Sequence, residues 1–184
     1  MQLKNDTLRY GLIAQLFHWS IVALIVTQFV LANKAEGLPI GPAKIATLAT
    51  HKSIGMTIFA LAVLRLIWRF MNPVPELPSS TPRWQRTAAH FTHGLLYALI
   101  LITPIVGWTM SSARNFPVSY FGLFTLPDFV EPNQALYEFC HELHEFLATA
   151  LFVVAIVHIA AALKHHFVDK DDVLRRMLPV KLKS

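Results

Sequence analysis

The chain's 184 residues are 54% hydrophobic and only 15% charged, a composition too apolar and too poor in charge for a soluble domain. We therefore expect one small integral-membrane domain that covers residues 1–184 and contacts a lipid bilayer. The net charge of +5 would also suit a nucleic-acid-binding protein, but lysine and arginine are distributed as membrane topology requires, so no nucleic acid is expected.

Four apolar segments predict an all-α fold, a four-helix bundle in the membrane. We place the helices at approximately residues 10–32, 46–70, 90–111 and 137–165, since about 20 residues cross a bilayer. A short interfacial helix is expected at approximately residues 169–178 of the charged tail. A signal peptide is the alternative for the first segment. It is disfavoured because the apolar stretch is long and contains Gln15 and His18.

Lysine and arginine indicate how the helices are oriented. Positive charge concentrates on the cytoplasmic side of membrane proteins. One side of the predicted bundle carries twelve basic residues: Lys4, Arg9, Arg65, Arg69, Arg83, Arg86, Lys164, Lys170, Arg175, Arg176, Lys181 and Lys183. The other side carries Lys34, Lys44, Lys52 and Arg114. This distribution places both termini and the proline-rich loop at 71–89 in the cytoplasm.

The loop between Ser111 and Asn133 is unusually aromatic for a segment exposed to solvent. It contains the run FGLFTLP. Two interpretations stay open: the loop lies on the membrane surface, or it covers a site.

The fourth segment contains two histidines on one helical face. His144 and His158 are 14 residues apart, which is roughly 21 Å along a helix and about 40° short of four full turns. Their imidazoles therefore point the same way at opposite ends of an apolar span. Ala148 and Ala155 lie between them on that face and leave room for something broad and flat. We infer that this helix carries one axial ligand for each of two stacked haems.

Two further histidines match these ligands in depth. His18 lies near the cytoplasmic end of the first segment, at the level of His158, and His51 begins the second segment at the level of His144. Polar side chains inside a membrane are costly and are functional candidates. Each pair could hold one iron from opposite faces, and bis-histidine ligation suits electron transfer because it leaves no open position. The single cysteine, Cys140, excludes the C-x-x-C-H attachment of c-type haem.

Two arginines share the helical face of His51. Arg65 and Arg69 lie at the depth of the cytoplasmic pair, where they could bind haem propionates. Gly55 and Ala62 on the same face would leave room for a macrocycle. The alternative for the arginines is a simple positive-inside anchor, and the sequence does not decide between the two roles.

Taken together, these segments resemble the bacterial cytochrome b561 family of small di-haem membrane cytochromes. The resemblance covers nearly the whole chain and is specific in the order of its motifs. These motifs are YGLIAQLFHW at His18, HKSIG at His51, RLIWR at Arg65 to Arg69, AAHFTHGLLY at His90 and His93, FGLFTLP, the His144 to His158 spacing and ALKHHFVDKDDVLRRM. It implies two haem b groups in a bacterial inner membrane, one bound by His18 and His158, the other by His51 and His144.

The resemblance also implies exchange of electrons with the quinone pool. For some members it implies an oxidoreductase that takes electrons from superoxide outside and reduces ubiquinone near the cytoplasmic haem; another periplasmic donor is the alternative. His93 and His165 match positions suited to that quinone, with Arg69 or Lys164 nearby. Both histidines lie on the cytoplasmic side, and histidine can donate a hydrogen bond and pass a proton near neutral pH.

Two other functions remain as alternatives. The chain could be the cytochrome b subunit of a larger respiratory complex of the hydrogenase or formate dehydrogenase type, although its short loops and small size disfavour this. It could instead be a histidine-lined metal transporter or sensor without haem. A purified sample that lacks a Soret band would favour the second alternative.

Overall fold

The structure is a computed structural model that describes residues 2–78 and 81–180. Within that part of the chain it contains four long helices: α1, Leu12–Gly37; α2, Pro42–Met71; α3, Arg83–Ala113; and α4, Gln134–Lys164. Each is apolar enough and long enough to cross a membrane. The predicted all-α membrane bundle is confirmed.

The helices pack in chain order, with α1 against α2, α2 against α3 and α3 against α4. Large apolar side chains on the sides of the helices are exposed, for example Val26, Leu64 and Ile156. That arrangement suits lipid as the solvent, since lipid tails are as apolar as leucine. We call the end of the bundle with the α1–α2 and α3–α4 loops the outer end, and the opposite end the inner end.

Helix boundaries differ from the predicted ones because hydropathy marks the bilayer rather than the helix. Helix α3 begins at Arg83, directly after Pro82, instead of near residue 90. Helix α2 begins at Pro42, where a fixed φ favours the first helical turn. Helix α4 begins after Asn133, whose side chain accepts a hydrogen bond from the Leu136 N–H at 2.9 Å.

The tail does not form the predicted helix at 169–178, and that prediction is wrong. The chain continues from α4 as a π-helical turn, His165–Asp169, and later forms a 3-10 turn, Arg175–Met177. Lys170 adopts a left-handed conformation with φ 56° and ends the first turn. The Asp171 carboxylate accepts a hydrogen bond from the Val173 N–H at 3.0 Å, so a local side-chain turn replaces helical bonding.

The tail instead docks on the inner end of α1. The buried Gln15 side chain donates to the carbonyls of Arg176 and Leu178 at 3.4 and 3.3 Å. The Trp19 indole N–H donates to the Met177 carbonyl at 2.8 Å. The Gln15 side chain also donates to the Tyr10 carbonyl at 3.0 Å, and together its bonds explain the buried glutamine in an apolar helix.

The long outer loop between α3 and α4 contains a small antiparallel hairpin. Strand β1, Ser119–Tyr120, pairs with β2, Phe124–Thr125, in the register Ser119 to Thr125 and Tyr120 to Phe124. Inside α3, Pro104 removes one backbone donor. Pro104 and Val118, which precedes β1, both line a cavity at the outer end of the bundle.

Candidate functional site

The outer end contains a cavity with a histidine on each of two facing walls. His51 on α2 and His144 on α4 line a cavity of about 860 Å³, and their ring centroids are 6.3 Å apart. A metal ion held between two imidazole nitrogens at about 2 Å each would separate the centroids by about 6 Å. The spacing therefore suits one iron between the two rings.

Helix α3 orients His144 through a contact with its backbone. The His144 Nδ1 atom lies 3.1 Å from the Thr103 carbonyl, which fits an Nδ1–H donor and leaves Nε2 free for a metal. A Cβ atom on Gly107 would lie only 2.9 Å from His144 Cε1. Glycine at position 107 is therefore what allows the imidazole to approach α3.

The opposite wall has a similar glycine and an unsatisfied polar atom. A Cβ atom on Gly55 would lie 3.1 Å from Gln28 Nε2, so this glycine makes room for the amide. Among the described residues, the buried Gln28 Oε1 atom has no hydrogen-bond partner, and Gln28 lines the cavity. A group that carries its own polar edges would suit this wall.

Two lysines line the same cavity. Lys44 and Lys52 lie toward its outer mouth, with His141 on the facing helix. Lys52 Nζ donates to the Phe116 carbonyl at 2.8 Å, which fixes it beside the α3–α4 loop. In the predicted topology, both lysines belong to the side with little positive charge, and the sequence pattern predicts no function for them. The sequence position of Lys52 could have indicated a role, since it directly follows the ligand candidate His51.

The inner end brings three histidines together. His18 on α1 and His158 on α4 have ring centroids 6.4 Å apart, almost the same separation as the outer pair. His93 on α3 lies against His158 with centroids 5.3 Å apart and the rings edge to face. The longer spacing fits an ion between two rings, whereas the shorter one fits a direct ring contact. The fit favours His18 and His158 as the ligand pair and His93 as their neighbour.

The two arginines of α2 differ in their surroundings. Arg65 Nε donates to the Tyr97 hydroxyl at 3.1 Å, and the arginine is close enough to act electrostatically on His18, His93 and His158. Arg69, one helical turn further along α2, lies near His93. Arg65 therefore lies at the level of the inner pair, within a hydrogen-bonded contact between α2 and α3.

His165 lies among the acidic groups of the tail. Its Nδ1 atom is 2.7 Å from Asp171 Oδ2 and 3.3 Å from Asp169 Oδ2. Lys164 Nζ donates to both Asp169 carboxylate oxygens, at 2.8 and 2.6 Å. The two quinone candidates thus have different immediate neighbours: His93 contacts an imidazole, and His165 contacts carboxylates.

Comparison with known proteins gives a consistent result over nearly the whole chain. Residues 9–180 match the family model described as prokaryotic cytochrome b561. The chain is 37% identical to cytochrome b561 homolog 2 of Escherichia coli K12, over 97% of this chain and 95% of that protein. It is 27% identical to a probable superoxide oxidase, CybB, of Yersinia pestis, over 98% and 99% of the two chains. It is also 27% identical to cytochrome b562 of Cereibacter sphaeroides, over 88% and 89%.

Proposed function

Because the chain belongs to the prokaryotic cytochrome b561 family of membrane electron-transfer proteins, we propose that it binds two haem b groups and passes electrons between them and the quinone pool. The observation that carries this proposal is the presence of two histidine pairs with nearly equal separations, 6.3 Å at the outer end and 6.4 Å at the inner end. Haem bound at both ends would supply reversible one-electron transfer at iron.

The protein's own residues would hold and shield these groups. His51 and His144 would ligate the outer haem, and His18 and His158 the inner one. Two histidines at each haem would occupy the positions that oxygen would need, so the residues present would favour electron transfer over oxygen binding. Arg65 would place positive charge beside the inner site, where it could bind a propionate as well as the Tyr97 hydroxyl.

The donor at the outer end is proposed to be superoxide, and the acceptor at the inner end ubiquinone. One relative's name, probable superoxide oxidase, supports the donor, and the lysines at the outer mouth would favour a small anion. Two superoxide ions would give two electrons and become dioxygen, while one ubiquinone takes up those electrons and two protons. We also propose that the protein lies in the bacterial inner membrane with both termini in the cytoplasm. The reaction would feed electrons into the respiratory chain.

Haem quantitation tests the number and placement of the cofactors. We expect about two haems per chain in a pyridine haemochrome assay, since each histidine pair binds one. His18→Ala should remove the inner haem and its redox titration wave, whereas His51→Ala should remove the outer one. A fully loaded preparation with one haem, or loss of the same wave in both variants, would contradict the assignment. A preparation without a Soret band would support the metal-transporter alternative instead.

The quinone site is tested separately. His93 contacts His158 and lies near Arg69, so it could hydrogen-bond a quinone head group and pass it a proton. We propose that His165 provides a second contact. Replacing His93 or His165 by alanine should leave both haems bound and reducible but slow quinone reduction by about tenfold or more.

His90→Ala is the matched control for the quinone site, because His90 lies on the same helix and is exposed. It should keep the parental rate. Unchanged quinone kinetics in both the His93 and the His165 variants would exclude the proposed site.

A further inference from the structure

The outer hairpin, residues Val118–Leu126, presents an apolar tip. Phe121, Leu123 and Phe124 are 53%, 77% and 55% exposed. The whole stretch from Asn115 to Pro127 contains no charged residue. Large exposed apolar patches mark sites of interaction with another protein or with a membrane.

Its attachment to α2 gives the depth of the hairpin. Lys52 is the last charged residue on α2 before Arg65, so the hydrocarbon region at this end begins near Lys52. The Tyr120 hydroxyl lies 3.0 Å from Thr57 Oγ1. Thr57 is five residues beyond Lys52, about 7.5 Å further along the helix toward the inner end. The hairpin backbone therefore lies at the level of Lys52 and Ser53, and the Tyr120 side chain reaches further into the uncharged part of the span.

Hydrogen bonds between the hairpin backbone and a buried serine of α2 hold the hairpin against that helix. The Ser53 hydroxyl accepts a hydrogen bond from the Phe121 N–H at 2.9 Å, and its oxygen lies 3.0 Å from the Ser119 carbonyl. Ser53 is only 1% exposed. Val118, at the start of the hairpin, is 2% exposed and lines the outer cavity. One side of the hairpin thus lines the cavity. On the other side, the rings of Phe121 and Phe124 contact the Tyr120 ring and stay about half exposed.

The turn itself is an unusual place for a phenylalanine. Phe121 and Gly122 have φ values of +49° and +74°, and the Leu123 N–H donates to the Tyr120 carbonyl at 2.9 Å. Two consecutive positive φ values favour asparagine and glycine, so phenylalanine at the first position is strained. Its ring packs edge to face against Tyr120 with centroids 4.9 Å apart, and about half of the side chain stays exposed.

We propose that the outer hairpin is a lipid-inserted element, with Phe121, Leu123 and Phe124 in the acyl-chain boundary of the leaflet at the outer end. The occupant is the bilayer because the hairpin is bonded to α2 where the uncharged stretch of a membrane-spanning helix begins, and its three exposed tip side chains are apolar. The proposal does not depend on whether haem is bound. If the proposal is correct, the hairpin contacts lipid through its tip and lines the outer cavity through Val118.

Site-directed spin labelling tests the proposal. Leu123→Cys, in a Cys140→Ser background, is labelled with a nitroxide and reconstituted in phospholipid nanodiscs. We expect the label to be several-fold more accessible to dioxygen than to a water-soluble nickel chelate. Glu131→Cys is the matched control, because it is exposed in the same loop and should show the reverse preference. Phe124→Cys provides a second label at the tip, and an unchanged far-ultraviolet circular dichroism spectrum shows that the variants fold.

Two results would overturn the proposal. If the labels at positions 123 and 124 prefer the nickel chelate, as the control does, the hairpin is a solvent-exposed loop. If both reagents are excluded, a protein surface covers the hairpin. Accessibility is measured whether or not quinone is reduced, so failure of this proposal can be distinguished from failure of the proposed electron-transfer function.

Discussion

Gly107 is the residue whose importance is least visible in the sequence. Four histidines stand out because polar side chains are rare in apolar spans, and both of the pairs inferred from their depth are close in space. Gly107 acts on His144 from a different helix. A single glycine in an apolar segment has no periodic partner, so only the three-dimensional contact reveals it. The contact between the Thr103 carbonyl and His144 is likewise visible only in the structure.

We expect Gly107→Ala to impair the outer site selectively. The new methyl group would lie 2.9 Å from His144 Cε1, and relieving such overpacking costs about 1–3 kcal/mol. The imidazole should turn away from its Thr103 contact. Outer-haem occupancy should fall, or its electron paramagnetic resonance signal should shift, while the inner signal is unchanged.

Gly94→Ala is the control for that experiment. Gly94 lies on the same helix, and a Cβ atom there would have no neighbour within 4 Å among the described residues. It should keep both signals and should slightly favour the helix. Equal effects of the two substitutions would show that α3 responds to alanine in general, and that Gly107 has no specific role in positioning His144.

The helices could be predicted more reliably than the segments that follow them. Apolar runs of bilayer length identify a membrane helix regardless of its neighbours. The tail is different because its structure depends on partners elsewhere in the chain. Gln15 and Trp19 bind its backbone carbonyls, and Asp171 bonds locally. The charge pattern of the tail predicts an interfacial helix. The prediction failed because the partners of the tail lie in α1 and cannot be inferred from the tail sequence.

We expect Gln15→Met to release the tail. Methionine keeps the length of the side chain but cannot donate to the carbonyls of Arg176 and Leu178, which should cost about 1–2 kcal/mol. Trypsin should then cleave after Arg175 or Arg176 faster than in the parent.

Thr27→Val serves as the control, since Thr27 is exposed on the same helix and bonds only within it among the described residues. Its proteolysis should match the parent. Equal resistance of the Gln15 variant would mean that other contacts hold the tail.

The charges predict the orientation of the whole bundle, and a pair of glutamates tests that prediction. Glu131 lies in the outer loop and Glu76 in the α2–α3 loop, and both are exposed. If the basic inner end is cytoplasmic, a membrane-impermeant maleimide should label Glu131→Cys in cells with a permeabilised outer membrane. It should label Glu76→Cys only after the inner membrane is opened. The reverse pattern would invert the bundle and with it the proposed direction of electron flow.

Helix α4 carries one histidine of each pair, and this restricts where residues can be inserted or deleted. Each residue inserted between His144 and His158 would rotate one imidazole by about 100° relative to the other. One added residue would therefore aim one ring away from its partner, whereas seven added residues, close to two full turns, would nearly restore the phase. Residues in the loops are under no such restriction. Insertions and deletions among homologues should accordingly avoid the stretch from 145 to 157 and collect in the connections between helices.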